Sequence, residues 1–419
     1  MMTRLTVNPV FIIAIALMIM TNNCTHRAHE ANNGQQEAAG EDISAATISK
    51  GNNQFAFDIL GQLPHEDENL VISPFSISTA IAMTYAGARE GTQEQMAEIM
   101  HFDRDQDRFH RGYSNYLQSL SELIEEDIRL NIANSLWAQE DYHFLDSFFE
   151  IVQQNYDSET FQVDFKTNRE EIRENINRWV YDETREKIED LIAPGVLTRD
   201  TRLVLVNAIH FWGAWMKEFD PELTKEDRFF MENDDTVMAD FMSREDTLPY
   251  YEDERLQALE IPYSGGDFSM MMVLPREGIT TRDIEATLDA QSFVSLTDSM
   301  EETALKAFIP KFEGETKVDL EDIFMNMGME LPFSRDADFS GMTGDLELVI
   351  DKVIHQAMIE VEEEGTEAAA ATAVVVIRKT AIDPDEPPVF RANRPFLFYI
   401  KDNINQSILF AGRVMNPEK

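Results

Sequence analysis

The 419-residue sequence predicts an α+β fold in one large domain, and three observations predict it. Hydrophobic residues make up 43% and aromatic residues 10% of the chain, enough to bury a sizeable core. Helix-like periodicity dominates the first half and strand-like alternation the second, where a doubly wound fold would interleave them. No internal repeat and no mid-chain linker offers a place to cut the chain.

The elements follow in order. Residues 74–88 (PFSISTAIAMTYAGA) place Pro74 at a first helical position before apolar and small residues on every side, so a buried helix is expected. In residues 167–180 (TNREEIRENINRWV), Thr167 and Glu170 have capping-box spacing, and Ile172, Ile176, Trp179 and Val180 share a face. That pattern predicts an amphipathic surface helix. Strands are expected over 128–137, 203–212, 268–274 and 305–312, with a closing pair at 396–401 (FLFYIK) and 407–414 (SILFAGRV).

The N-terminus reads as an address. Arg4 precedes an apolar run, 10–20 (VFIIAIALMIM), of signal-peptide length and too short to span a bilayer comfortably. Cys24, the single cysteine, stands where a bacterial lipoprotein signal places the residue to be acylated, although Asn23 occupies a position where a small residue is usual. Residues 1–23 are therefore expected to be a signal peptide of lipoprotein type, 24–46 a polar tether and 47–419 the folded domain. The expected location is outside the cytoplasm: extracellular, periplasmic or anchored to a bacterial surface.

The net charge of −43 repels phosphate backbones and anionic membranes, which excludes nucleic acid as a partner. No GxSxG, HExxH or phosphate-loop pattern occurs, and the eight histidines form no metal-ligand motif. The expectation is a chain that is not an enzyme, without metal or cofactor. His355, in an apolar strand-like run, reads as a satisfied core histidine.

One stretch stands apart, 362–380 (EEEGTEAAAATAVVVIRKT). If extended, it sets Thr366, Ala368, Ala370, Thr372, Val374 and Val376 on one face and Glu367 on the other. Its alanines equally favour a helix, so the segment is conformationally ambivalent. Arg378 and Lys379 precede Thr380 and a Pro-rich acidic stretch, 383–388, expected to be exposed loop. Basic residues on such a loop suit the carboxylate-bearing pocket of a trypsin-like protease.

This stretch resembles the hinge and reactive loop of inhibitory members of the serpin family, with Glu363, Gly365, Thr366, Glu367, Ala368, Ala369, Ala370, Ala371 and Thr372 following the hinge pattern. Further blocks are similar to serpin segments in the same order: 69–91 (NLVISPFSISTAIAMTYAGAREG), 134–138 (NSLWA), 205–215 (LVNAIHFWGAW), 259–263 (LEIPY) and 270–275 (MMMVLP). So are 310–312 (PKF), 337–342 (ADFSGM), 353–360 (VIHQAMIE), 394–398 (RPFLF) and 408–417 (ILFAGRVMNP).

The resemblance implies a single domain of three β-sheets and about nine helices, with an exposed reactive loop at 363–390. It implies a suicide-substrate inhibitor, monomeric, whose partner is a serine protease held as a covalent acyl-enzyme while the hinge inserts into the central sheet. The reactive bond falls at Lys379–Thr380, with Arg378 as the alternative bait residue. Ser73, Ser76, Asn207 and His355 match the family's shutter, and Trp215 matches its breach tryptophan. Trp212 stands where many relatives carry Lys. Two other readings remain open: a non-inhibitory serpin-fold binding protein, and a broad inhibitor of elastase- and papain-like proteases cut within the apolar run 374–377.

Overall fold

A computed structural model describes residues 43–64, 68–124, 127–156, 158–366 and 387–418. The first half runs α1 (Ala45–Leu60), β1 (Leu70–Ile72), α2 (Pro74–Tyr85), α3 (Glu90–Met100), α4 (Gln106–Glu122), β2 (Ile128–Gln139), α5 (Asp146–Tyr156), β3 (Glu159–Val163), α6 (Phe165–Glu183) and β4 (Leu203–Ala214). Then come β5 (Lys225–Phe230), β6 (Thr236–Glu252), β7 (Leu256–Pro262), β8 (Phe268–Pro275), α7 (Thr281–Glu285), α8 (Ala290–Asp298), β9 (Glu301–Pro310) and β10 (Phe312–Asp319). The chain closes with α9 (Glu321–Asn326), α10 (Ser340–Thr343), β11 (Lys352–Val361), β12 (Gly365–Thr366), β13 (Val389–Arg391), β14 (Phe396–Asp402) and β15 (Ser407–Val414).

Helix α2 forms as its sequence directs. The Ser73 hydroxyl caps it by accepting from the Ser76 N–H, Pro74 occupies the first turn, and all twelve residues are buried. Helix α6 departs from expectation at its start. Its cap is Asp164, whose carboxylate accepts from the Thr167 N–H, and Asn168 leaves helical geometry inside the first turns. A carboxylate cap at Asp164 supplies the charge favoured at a helix N-terminus, which displaces the predicted Thr167–Glu170 box.

The expected strand over 305–312 is two strands in different sheets. β9 ends at Pro310 and β10 begins at Phe312, while the intervening Lys311 N–H is bonded to the Asp240 carbonyl at 2.8 Å. Pro310 has no N–H to continue a ladder, so the chain changes sheets there.

One sheet orders its strands β10-β11-β4-β2-β3, with β12 also paired to β4. The other ladder runs β1-β15-β14-β8-β7-β6-β9-β13, with β5 on β6. Long β6 pairs with β7 only over Tyr250–Glu252, and with β5 and β9 along the rest. The ladder therefore divides at β6 into a large sheet and a small one, three sheets in all.

β4 shows what the six-stranded sheet separates. Leu203, Leu205, Ile209 and Phe211 face the main core, whereas Val204, Val206 and Ala208 face a second core under α6 with Ile172, Ile176 and Val180. Burial on both faces explains why 203–212 reads as an almost continuous apolar run.

Trp137 anchors the second core, stacked on Phe161 at 4.0 Å with its Nε1–H donated to the Ser135 hydroxyl at 2.8 Å. Trp137→Ala should lower native stability by about 3–5 kcal/mol, read as a fall in the denaturation midpoint.

Candidate functional site at the opening of the central sheet

Asn207, at the middle of β4, is opposite Asn134 of β2 in an antiparallel ladder and opposite His355 of β11 in a parallel one. Residues paired across strands share a face, so these three polar side chains form a row inside an otherwise apolar core. The N-terminus of α2 lies over that row.

The hydrogen bonds close a network. The Asn207 amide donates to the Ser76 carbonyl at 2.8 Å and to Asn134 Oδ1, and its Oδ1 accepts from His355 Nδ1. His355 Nε2 in turn accepts the Ser73 backbone N–H at 3.1 Å, and the Ser73 hydroxyl donates to the Leu409 carbonyl of β15 at 2.6 Å. His355 thus uses both ring nitrogens, as a donor at Nδ1 and an acceptor at Nε2, which defines the neutral imidazole. Burial pushes its pKa down to about 3. The structure therefore brings Ser73, Ser76, Asn207 and His355 together, and adds Asn134 and the Leu409 carbonyl, which sequence reasoning missed. Asn134 lies in the NSLWA block, and its register opposite Asn207 is the signal that singles it out.

Higher on the same strand, β4 ends beside Gly365 and Thr366, where the expected hinge begins. Gly365 pairs with Ala214 and Thr366 with Gly213, antiparallel. A Cβ on Gly365 would lie 2.1 Å from the Gly213 carbonyl oxygen, so only glycine permits this approach. Trp215 organises the segment just before it. Its indole stacks on Tyr263 at 4.6 Å and 7°, its Nε1–H donates to the Glu362 carbonyl at 3.0 Å, and its backbone N–H donates to the Glu364 carbonyl at 3.0 Å.

The acidic residues here are tethered. Lys311 lies 3.3 Å from the Glu362 carboxylate and 3.0 Å from that of Glu363, which also accepts the Thr224 hydroxyl at 2.7 Å. Burial pushes the Glu363 carboxyl up, yet Thr224 and Lys311 outweigh it and hold the group below its ordinary value. Lys311 is the counterpart: burial pulls its ammonium down, and Glu363 and Glu362 more than reverse this. Glu218 is pushed up by burial and by the charge of Glu364. Lys311 sits in the PKF block, where sequence alone gave it no role.

Glu367, Ala368, Ala369, Ala370, Ala371, Thr372, Arg378, Lys379 and Thr380 lie outside the described residues, as do Cys24 and the rest of 1–42. Among the described residues, no cluster of metal-ligating side chains occurs and no helix is long and apolar enough to cross a membrane.

Residues 50–417 match the model of the family described as serpin (serine protease inhibitor). The chain belongs to the serpin family. A serpin-like protein of Thermococcus kodakarensis is 38% identical over 366 residues, 87% of this chain and 85% of that one. The leukocyte elastase inhibitor of Sus scrofa is 37% identical over 380 residues, covering 88% of this chain and 99% of its own. Human thyroxine-binding globulin superimposes with a TM-score of 0.81 at 28% identity, over 90% of this serpin and all of the other chain. Family membership corrects the expectation of a chain that is not an enzyme: many serpins are suicide-substrate protease inhibitors, and they act on proteases.

The pH dependence of stability follows from the buried histidines. His110, pushed down to about 3 by burial and then by the Arg89 charge, behaves like His355. Both bind protons more readily in the unfolded chain, near the ordinary histidine value of 6.5, so their stabilising contribution is complete above that pH and is lost as pH falls towards 3. His355→Gln should shrink the difference between melting temperatures at pH 7 and pH 4, measured by calorimetry.

Proposed function

We propose that this serpin is a suicide-substrate inhibitor of serine endopeptidases with trypsin-like targets, cleaved at Lys379–Thr380. The observation that carries this reading is the hinge: Gly365 and Thr366 are seated on β4 at the head of the seam between β4 and β11. In the proposed inserted state that register would set Ala368 and Ala370 opposite Phe211 and Ile209, which face the main core, and Thr372 opposite Asn207 on the same side of β4. Small side chains suit that passage. Arg378 is the alternative bait residue.

The energetic logic rests on strand direction. β4 and β11 are parallel, whereas β12 is antiparallel to β4 and therefore to β11. Insertion between them replaces one parallel ladder with two antiparallel ones, which are the more stable per residue and double the backbone pairing. Cleavage of the loop frees its hinge to make this exchange, and the acyl-linked protease travels with it. The shutter hydrogen bonds hold the seam closed until then, each at a net of about 1 kcal/mol.

A second reading, a non-inhibitory binding protein, is favoured by the likeness to thyroxine-binding globulin. Cleavage at 374–377 by elastase- or papain-like proteases belongs with the inhibitory reading and broadens it. Export by residues 1–23, a lipid at Cys24 and a flexible tether to residue 46 complete the proposal, placing a monomeric inhibitor at or beyond the cell surface.

Incubation with trypsin should give an SDS-stable complex and a released C-terminal peptide beginning at Thr380. Cleavage with no complex would refute inhibition, and a peptide beginning at Lys379 would reassign the bait to Arg378. Thr366→Arg should turn inhibitor into substrate, raising the stoichiometry of inhibition about tenfold or more, as expected when a charge must be buried in an inserting strand. In a bacterial host, radiolabelled palmitate should enter the parent protein and not Cys24→Ser; an unlabelled parent would remove the lipid anchor.

A further inference from the structure

A cleft of about 530 Å³ opens between α8, the turn from α7 into α8 and the turn from β6 into β7. That is the size of a small-molecule site. None of its lining residues belongs to β2, β4 or β11. Helix α8 has two occupied faces: Phe293 packs on Phe57 of α1 at 5.6 Å, whereas Ser292, Ser295, Leu296 and Ser299, spaced as one helix face, line the cleft. The cleft is therefore on a side of α8 distinct from its contact with α1.

Its floor is apolar. Leu256 of β7, Ile284 of α7 and Leu296 of α8 are buried, and Leu288 and the ring of Tyr251 add partly buried apolar surface beside them. The rim is polar, and the protons of its hydroxyls are already committed. The Ser299 hydroxyl donates to the Ser295 carbonyl at 2.7 Å, that of Ser295 to the Gln291 carbonyl at 3.0 Å, and that of Thr287 to the Ile284 carbonyl at 3.1 Å. Ser292 donates to Asp289 Oδ1 at 2.7 Å and Tyr251 to Asp253 Oδ2 at 3.2 Å. A hydroxyl whose single proton is used has only lone pairs left to offer.

Two carboxylates and one guanidinium also line the cleft. Asp253 is engaged by the chain around it, its Oδ1 accepting the Arg255 N–H at 2.7 Å and the Leu256 N–H at 2.9 Å. Arg255 turns a guanidinium N–H to the Asp283 carbonyl at 3.0 Å. Asp289 differs from both. The Ser292 N–H and hydroxyl hold its carboxyl below the ordinary value, so it is ionised near neutral pH, and among the described residues it forms no ion pair. The cleft thus combines an apolar floor, a rim of acceptors and a carboxylate with no cation on it.

We propose that this cleft is a binding site for a small organic cation, an ammonium carried on an apolar or aromatic body, with the body on Leu256, Ile284 and Leu296 and the ammonium at Asp289 and the rim hydroxyls. An ammonium brings three donors and no acceptor, which is the complement of a rim of lone pairs. A carboxylate on the same body would meet those lone pairs and the Asp289 charge, and would be repelled. The net charge of −43 adds a long-range attraction for cations and none for anions. The site uses neither the hinge nor the reactive loop, so it is independent of whether the chain inhibits a protease.

The test is titration of the full chain with phenethylammonium, followed by calorimetry or saturation-transfer NMR. Binding should be saturable, and phenylacetate, an anion of similar size and shape, should bind about tenfold more weakly, the scale of attraction turned to repulsion at one exposed carboxylate. Asp289→Asn keeps an oxygen to cap α8 while removing the charge, and should weaken phenethylammonium binding about threefold. Ser295→Trp, at an exposed rim position, should fill the cleft and abolish binding. Thr287→Trp, also exposed but on the turn before α8, should block the same space and guards against a fold defect in the α8 variant. No saturable binding in the parent, or phenylacetate bound as tightly, would overturn the site. Undiminished binding in both tryptophan variants would overturn it too, since it would mark a diffuse attraction to the acidic surface. Unchanged affinity in Asp289→Asn would refute the placement of the ammonium.

Discussion

Opening the parallel ladder between β4 and β11 would expose two strand edges in the middle of a sheet that is buried on both faces, and that cost constrains everything packed around this seam. Apolar residues cover it from two cores, and neither core can separate the strands or lock them by direction alone. In the proposed mechanism polar side chains do the locking. Asn207 spans the seam to His355, and both are tied to the N-terminus of α2 through Ser73 and Ser76. A lock made of hydrogen bonds is directional and satisfied only when closed, yet each bond is modest, so it can be exchanged for others.

Gly365 and Thr366 sit at the end of this seam, where the proposed exchange would start. Glu362 and Glu363 are held by Lys311, Trp215 and Thr224, and the backbone then turns through Gly365 onto β4. Fixing the last residues before the loop decides its register on β4. In the proposed mechanism the freed chain has no search to make: Thr366 is already opposite Gly213, and each later residue has an assigned partner down the strand.

Much of this was legible in the chain. α2 announced itself through Ser73, Pro74 and an unbroken apolar and small run, because its environment is apolar on every side. β4 read as a buried strand for the same reason. The blocks containing Ser73, Ser76, Asn207, His355 and Trp215 resembled serpin segments. Other readings failed where a local pattern met a tertiary constraint. The run across 305–312 looked like one strand, since nothing in its alternation records that Lys311 must turn between two sheets. The cap of α6 moved to Asp164 because a carboxylate competes better than the Thr167 hydroxyl for the exposed N–H groups.

Periodicity and composition by themselves determined that the chain is α+β, that its core is large, and that 362–380 is ambivalent between helix and strand. The tertiary structure decided what that ambivalent stretch is next to. Sequence spacing cannot place Lys311 beside Glu363, Tyr263 against Trp215, or Arg129 over Trp212, because the partners of each pair lie tens of residues apart in the chain. It likewise could not reveal the two-residue gap on β4, which exists only because β11 stops pairing at His210 and β12 begins at Gly213. Local preference chooses an element; register, set by long-range pairing, chooses its partners.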